Sequence, residues 1–101
     1  MPLLSEPFPF TAKLIAGAPE EPGVYALWLE GEIVYIGHAG GKGATIRSRL
    51  VDHFSGTAGP CTRRASHYSW EISLKPAERE AQVLSEYQAK FHHLPLCNKV
   101  A

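Results

Sequence analysis

Apolar and polar positions along the chain change period several times, and each change marks an element. Residues 23–29 (Gly-Val-Tyr-Ala-Leu-Trp-Leu) are rich in β-branched and aromatic side chains and predict a strand. Glu30-Gly31 follows as a tight turn, and residues 32–37 (Glu-Ile-Val-Tyr-Ile-Gly) predict a second strand, so the two form an antiparallel hairpin. Thr45 is an N-cap for a helix through Phe54, with Ile46, Leu50 and either Phe54 or His53 on its inner face and Gly56 as its stop. Residues 55–66 are polar, contain Gly59-Pro60, and read as a flexible connection. Residues 67–74 alternate, with Tyr68, Trp70, Ile72 and Leu74 on one face of a third strand. Pro76 suits the first turn of a long helix to about His92, with Ala77, Ala81, Leu84, Gln88 and Phe91 down one side and Tyr87 alongside.

Before this, residues 1–22 read as an extended lead-in with a short helical turn near residues 11–16, ended by Gly17 and Pro19. Residues 94–98 read as an irregular tail. The expected architecture is therefore α+β: a three-stranded antiparallel sheet flanked by helices, in β-β-α-β-α order. Residues 23–101 make one domain, and the lead-in packs on it. At 101 residues and 45% hydrophobic content, there is material for one modest core.

No run approaches the ~18 apolar residues that would span a membrane. The first ten residues carry three prolines and no basic-then-apolar signal pattern. Two cysteines, Cys61 and Cys97, are too few for a disulfide framework, and with nearby histidines they do not reach a zinc ligand count. They read as reduced thiols of a soluble, cytoplasmic protein.

The net charge is zero, which a dedicated nucleic-acid binder seldom shows. Its distribution is uneven. Residues 1–37 carry five acids against Lys13, a balance of −4, whereas residues 38–64 carry Lys42, Arg47, Arg49, Arg63 and Arg64 against Asp52, a balance of +4. The middle segment can present a positive field to phosphates, although such blocks are commonly solvated surface.

The chemistry is concentrated around the hairpin. Tyr25 and Tyr35 stand ten positions apart on strands joined by one turn, so both rings can reach the same end of the sheet. Arg49 and His53 are i and i+4 on the following helix and share a face. Gly40-Gly41-Lys42-Gly43 imitates a nucleotide phosphate loop. It lacks the required first glycine, where Ile36 stands, and the Ser or Thr after the lysine, where Gly43 stands.

In this arrangement the chain resembles the GIY-YIG nuclease family. Gly23-Val24-Tyr25 and Val34-Tyr35-Ile36-Gly37 are similar to the two motifs that name it. Arg49-Leu50-Val51-Asp52-His53-Phe54 looks like its helix, and Pro95-Leu96-Cys97-Asn98 looks like its closing asparagine after a proline turn. The likeness covers about residues 20–100. The stretch from Tyr35 to Arg49 is longer than the family's usual spacing.

The resemblance implies endonucleolytic hydrolysis of nucleic acid, DNA in the first place, in repair or recombination, with one Mg²⁺ or Mn²⁺ ion. Tyr25 and Tyr35 share the role of orienting or deprotonating water; a free phenol's pKa near 10 would have to be lowered by Arg49 or the metal. Arg49 would stabilise the five-coordinate phosphate, His53 would assist proton transfer, and Asn98 would order the site. His38, Lys42 and Arg47 are placed to contact substrate.

The metal carboxylate is Glu80 or Glu86. Glu86 lies twelve residues before Asn98, the spacing of the family's excision-repair nucleases. On a helix with Leu84 inward, however, Glu80 lies within about 40° of the packed direction and Glu86 about 160° from it. Family members commonly borrow affinity from an attached domain, so a partner protein or a homodimer would supply it here. The alternative is a GIY-YIG-fold module, weak or inactive in cleavage, that binds nucleic acid or protein.

Overall fold

The hairpin closes because two adjacent residues accept left-handed backbone. Glu30 has φ 53° and Gly31 φ 82°, the two positive values that a two-residue turn requires to match strand twist. The computed structural model describes residues 6–41 and 43–98. In chain order they form β1 (Phe8–Pro9), α1 (Ala12–Ile15), β2 (Gly23–Leu29), β3 (Glu32–Ala39), α2 (Ile46–Ser55), α3 (Pro60–Arg63), β4 (His67–Ile72) and α4 (Pro76–Phe91), then a closing 3-10 turn, Leu96–Asn98.

The fold is α+β, with all strands antiparallel in a four-stranded sheet of order β1-β4-β2-β3. The expected three-stranded sheet is thus one strand short. Phe8 and Pro9 pair with Tyr68 and His67 at the outer edge of β4, a place where proline's missing N–H is tolerated. The lead-in also contributes α1, N-capped by Thr11, and buries Phe10, Ile15 and Ala18.

A bulge in β3 decides which side chains meet. Near the turn, Trp28 pairs with Ile33, but one residue further Leu27 pairs with Tyr35, leaving Val34 as the extra residue. Had the first register continued, Tyr35 would have paired with Ala26 and lain on the face opposite Tyr25. The bulge restores the pairing Tyr25–Gly37 and Tyr35–Leu27, which puts both tyrosines on one face.

The two faces bury separate cores. Tyr25, Leu27, Val34, Ile46, Leu50 and Tyr68 cluster on the α2 side, and Val24, Ala26, Ile36 and Val83 on the α4 side. Because β4 is covered on both faces, Ser69 is fully buried and accepts the Trp28 indole N–H at 2.9 Å. The expected alternation therefore fails at the strand's end: β4 stops at Ile72, and Leu74 is exposed.

Thr45 caps α2 through a reciprocal capping box with Ser48, and Gly56 ends it in left-handed conformation. In α4 the buried centre is Val83, with Glu80, Leu84 and Tyr87 half-buried around it. Ala77, Ala81, Gln88 and Phe91, expected inside, face outward. Arg79 fixes this rotation by a bidentate bond to Glu71 of β4, 2.7 and 3.2 Å long.

The thiols expected to be free are joined: Cys61 of α3 and Cys97 of the closing turn form a disulfide. Closing a loop over a sequence separation of 36 contributes about 4 kcal/mol in the chain-entropy account. It also removes the ground on which reduced thiols had pointed to the cytoplasm. Among the described residues no helix is long and apolar enough to cross a membrane.

Two glycines separate packing from flexibility. A Cβ on Gly23 would lie 2.2 Å from the Glu71 carbonyl and 2.8 Å from Ile46, whereas on exposed Gly17 the nearest atom is 3.6 Å away. Gly23→Ala should lower unfolding free energy in urea by about 3 kcal/mol or more. Gly17→Ala should leave it unchanged or raise it by up to about 1 kcal/mol.

Candidate active site

β3 is an outer strand, and the cleft lies beside it, where groups from both faces of the sheet meet. It measures about 300 Å³. Tyr25 of β2 and Tyr35 of β3 reach it from the α2 face, together with Arg49, Asp52 and His53 of α2. From the α4 side come His38 and Glu80, and Ala58 of the α2–α3 loop closes one wall. The structure thus gathers Tyr25, Tyr35, Arg49, His53, His38 and Glu80, all named from sequence.

His53 is 4% exposed and packs against both tyrosine rings, with centroids 5.5 Å from Tyr25 and 4.9 Å from Tyr35. Its Nε2 is 2.8 Å from the Tyr25 hydroxyl and its Nδ1 2.7 Å from Thr62 Oγ1, so both ring nitrogens are engaged. Gly37 makes room for this cluster. A Cβ there would stand 2.7 Å from the Tyr35 ring and 2.8 Å from the Tyr25 hydroxyl.

Burial sets the protonation states. It pulls the His53 pKa down to about 4, with Asp52 opposing and Arg49 adding to the shift, so the ring is neutral near pH 7. The Tyr25 phenol is pushed well above its ordinary value, first by burial and then by Tyr35 beside it; Arg49 opposes but does not prevail. Tyr35 is raised as well, by burial and then by Glu80. The expectation that Arg49 would make a tyrosine acidic is therefore reversed in the resting cleft. Removing a phenolate from water costs more than one half-exposed guanidinium returns.

On the opposite wall, His38 Nδ1 and Glu80 Oε1 are 2.5 Å apart. Arg49 is about half exposed and loosely paired with Asp52 at 3.6 Å, which leaves it able to exchange that carboxylate for a phosphate. Among the described residues no group of three or more His, Cys, Asp or Glu side chains could hold a metal. A divalent ion here would rest on the Glu80 carboxylate and keep water, a donor set that suits Mg²⁺ or Mn²⁺ and excludes a structural zinc.

The remaining residues named from sequence lie elsewhere. Arg47 is bound to the Ala18 carbonyl at 2.9 Å and to Glu20 at 3.3 Å, so it braces the segment before β2 and lines no part of the cleft. Glu86 is exposed beside Ala81, Gln82 and Ser85 on the outer side of α4. Asn98 is outside the cleft lining, but it takes both the N–H and the C=O of Ile36, at 2.8 and 2.9 Å, and so holds the backbone between Tyr35 and Gly37. Lys42 lies outside the described residues.

Two residues not named from sequence also take part: Thr62 on His53 and Asp52 in the cleft wall. Thr62 sits in the segment read as flexible, yet Pro60 opens α3 at its first turn and was the available signal of a helix there. A wider depression of about 540 Å³ adjoins the cleft at His38, lined by Gly40, Gly41 and the start of α4. Among the described residues it gathers no comparable set of interacting polar groups. No family model, curated protein or solved structure matches this chain.

The buried imidazole predicts acid sensitivity. The unfolded chain takes a proton on His53 near pH 6.5 and the folded protein only near 4, so the stability held by the neutral ring is complete above pH 6.5 and lost as pH falls through that window. The groups facing it are Tyr25, Tyr35, Arg49, Asp52 and Thr62. Urea titrations at about pH 6.5 and 5 should show the wild type losing up to about 2 kcal/mol more than His53→Gln. Equal losses in the two proteins would refute the neutral buried ring.

Proposed function

We propose that the cleft hydrolyses a nucleic-acid phosphodiester, DNA in the first place, in the manner of the GIY-YIG nucleases that the sequence resembles. The observation that carries this reading is the convergence of Tyr25, Tyr35, Arg49, His53 and Glu80, from four separate elements, on one cleft. Scattered, these groups could not act on one phosphate.

In this reading Arg49 leaves Asp52 and binds a non-bridging phosphate oxygen, where it stabilises the charge that builds at five-coordinate phosphorus. The Tyr25 and Tyr35 hydroxyls orient the attacking water. Tyr25 acts as a neutral relay rather than as a phenolate, passing a proton from water to His53 Nε2, 2.8 Å behind it. Glu80, oriented by His38, would hold the divalent ion. Bound there, the ion would supply Lewis-acid polarisation of the phosphate and support for the departing oxygen. Asn98 keeps β3 in register so that Tyr35 stays in place.

The balanced net charge favours a second reading, a GIY-YIG-fold module weak or inactive in cleavage that binds a protein partner or nucleic acid. The chain is neutral overall, and Arg47 and Arg49 are both paired with acids, which leaves little nonspecific attraction for phosphates.

A cleavage panel separates the two. Linear, nicked and branched DNA and RNA would be incubated with Mg²⁺ or Mn²⁺. The wild type should cut at least one substrate, Glu80→Ala should fall to background, and Glu86→Ala should cut normally. Arg49→Ala should lose on the order of 10²-fold or more in kcat. Loss on Glu86→Ala with Glu80→Ala active would transfer the metal to the outer side of α4. Tight binding with no cleavage in any buffer would favour the module.

A further inference from the structure

Thr62 is buried, at 4% exposure, and its hydroxyl lies 2.7 Å from His53 Nδ1. Its neighbour in sequence, Cys61, is bonded to Cys97, and the neighbour of Cys97 is Asn98, which grips Ile36 of β3. One covalent link therefore joins the segment that touches the histidine to the segment that holds the Tyr35 strand. We propose that Thr62 is a positioning residue of the cleft, fixing the tautomer of His53 so that Nε2 faces Tyr25 unprotonated, and that the Cys61–Cys97 bridge holds Thr62 in place.

The reasoning is one of proton placement. A neutral imidazole has one N–H and one bare nitrogen, and the partner of one nitrogen selects the state of the other. A hydroxyl can donate or accept; in the proposed state Thr62 Oγ1 accepts from Nδ1–H, so the bare Nε2 accepts the Tyr25 O–H, which is the direction a relay from water needs. Replace the hydroxyl by a methyl, as in Thr62→Val, and a proton on Nδ1 would be buried without a partner. The ring then carries its proton on Nε2 and donates it to the Tyr25 oxygen. The Tyr25–His53 contact remains, but the relay runs the wrong way.

This rests on the nuclease reading for its catalytic consequence, although the tautomer can be read without any substrate. In ¹⁵N-histidine-labelled protein, long-range ¹H–¹⁵N spectra should show His53 protonated on Nδ1 in the wild type and in Thr62→Ser, and on Nε2 in Thr62→Val. Where cleavage is measured, Thr62→Val should lose about 10-fold or more in kcat with KM unchanged, and Thr62→Ser should recover most of it.

A dithiol reductant tests the bridge. It converts Cys61–Cys97 to two thiols while its own two thiols close to a disulfide, and the His53 signals should then show both tautomers in exchange. An Nδ1–H tautomer unchanged in Thr62→Val would overturn the proposal whether or not the protein cuts nucleic acid. A single unchanged tautomer after reduction would overturn the role of the bridge. A tautomer that shifts in Thr62→Val, beside a wild type that cuts nothing, would leave Thr62 in its positioning role and reject the nuclease.

Discussion

One extra residue in β3 brings the two tyrosines of the cleft to one face of the sheet. A strand's side chains alternate, so a register error of one residue moves a tyrosine from one face of a sheet to the other. Val34 supplies that single residue, and Tyr35 thereby joins Tyr25 and His53. The rest of the local structure maintains the irregularity. Gly37 admits two rings where a Cβ would collide, and Asn98 grips the strand at Ile36, two residues beyond Val34.

The electrostatics follow from where that cluster sits. Tyr25 and His53 are enclosed, so both are held neutral, while Arg49 and Asp52 remain in contact with solvent. A buried neutral pair behind exposed charges divides the labour of the site. The inner groups can pass a proton without the cost of a buried charge at rest, and the outer groups can exchange an internal partner for a ligand.

Elements with strong local signals were legible in the sequence. The Glu30-Gly31 turn, the Thr45 cap, the Gly56 stop and the proline opening α4 each rest on backbone chemistry that a single residue decides. Tyr25 and Tyr35 could be placed near each other, but the even ten-residue spacing around a two-residue turn gives opposite faces unless a bulge intervenes. Nothing local announces Val34 as that bulge.

The other differences are tertiary too. β1 exists because β4 offers it an edge, and Thr62 matters because α2 and α3 pack together. Cys61 and Cys97 meet only after the chain has folded around them. In α4 Leu84 and Glu80 lie on the inner side as expected, whereas Ala77, Ala81, Gln88 and Phe91 only imitate a packed stripe, and Val83 with the Arg79–Glu71 pair sets the rotation.

The grip of Asn98 on Ile36 reaches beyond this one molecule. An outer β-strand is a template: its outward N–H and C=O groups invite pairing with a strand from another chain, the step by which sheets grow into aggregates. On β3 the middle of that template is already read by an amide side chain that presents one donor and one acceptor, as a neighbouring strand would. An incoming strand would have to evict both bonds before it could register along the edge. The same contact that steadies the tyrosine strand therefore also guards the sheet against extension by its own copies.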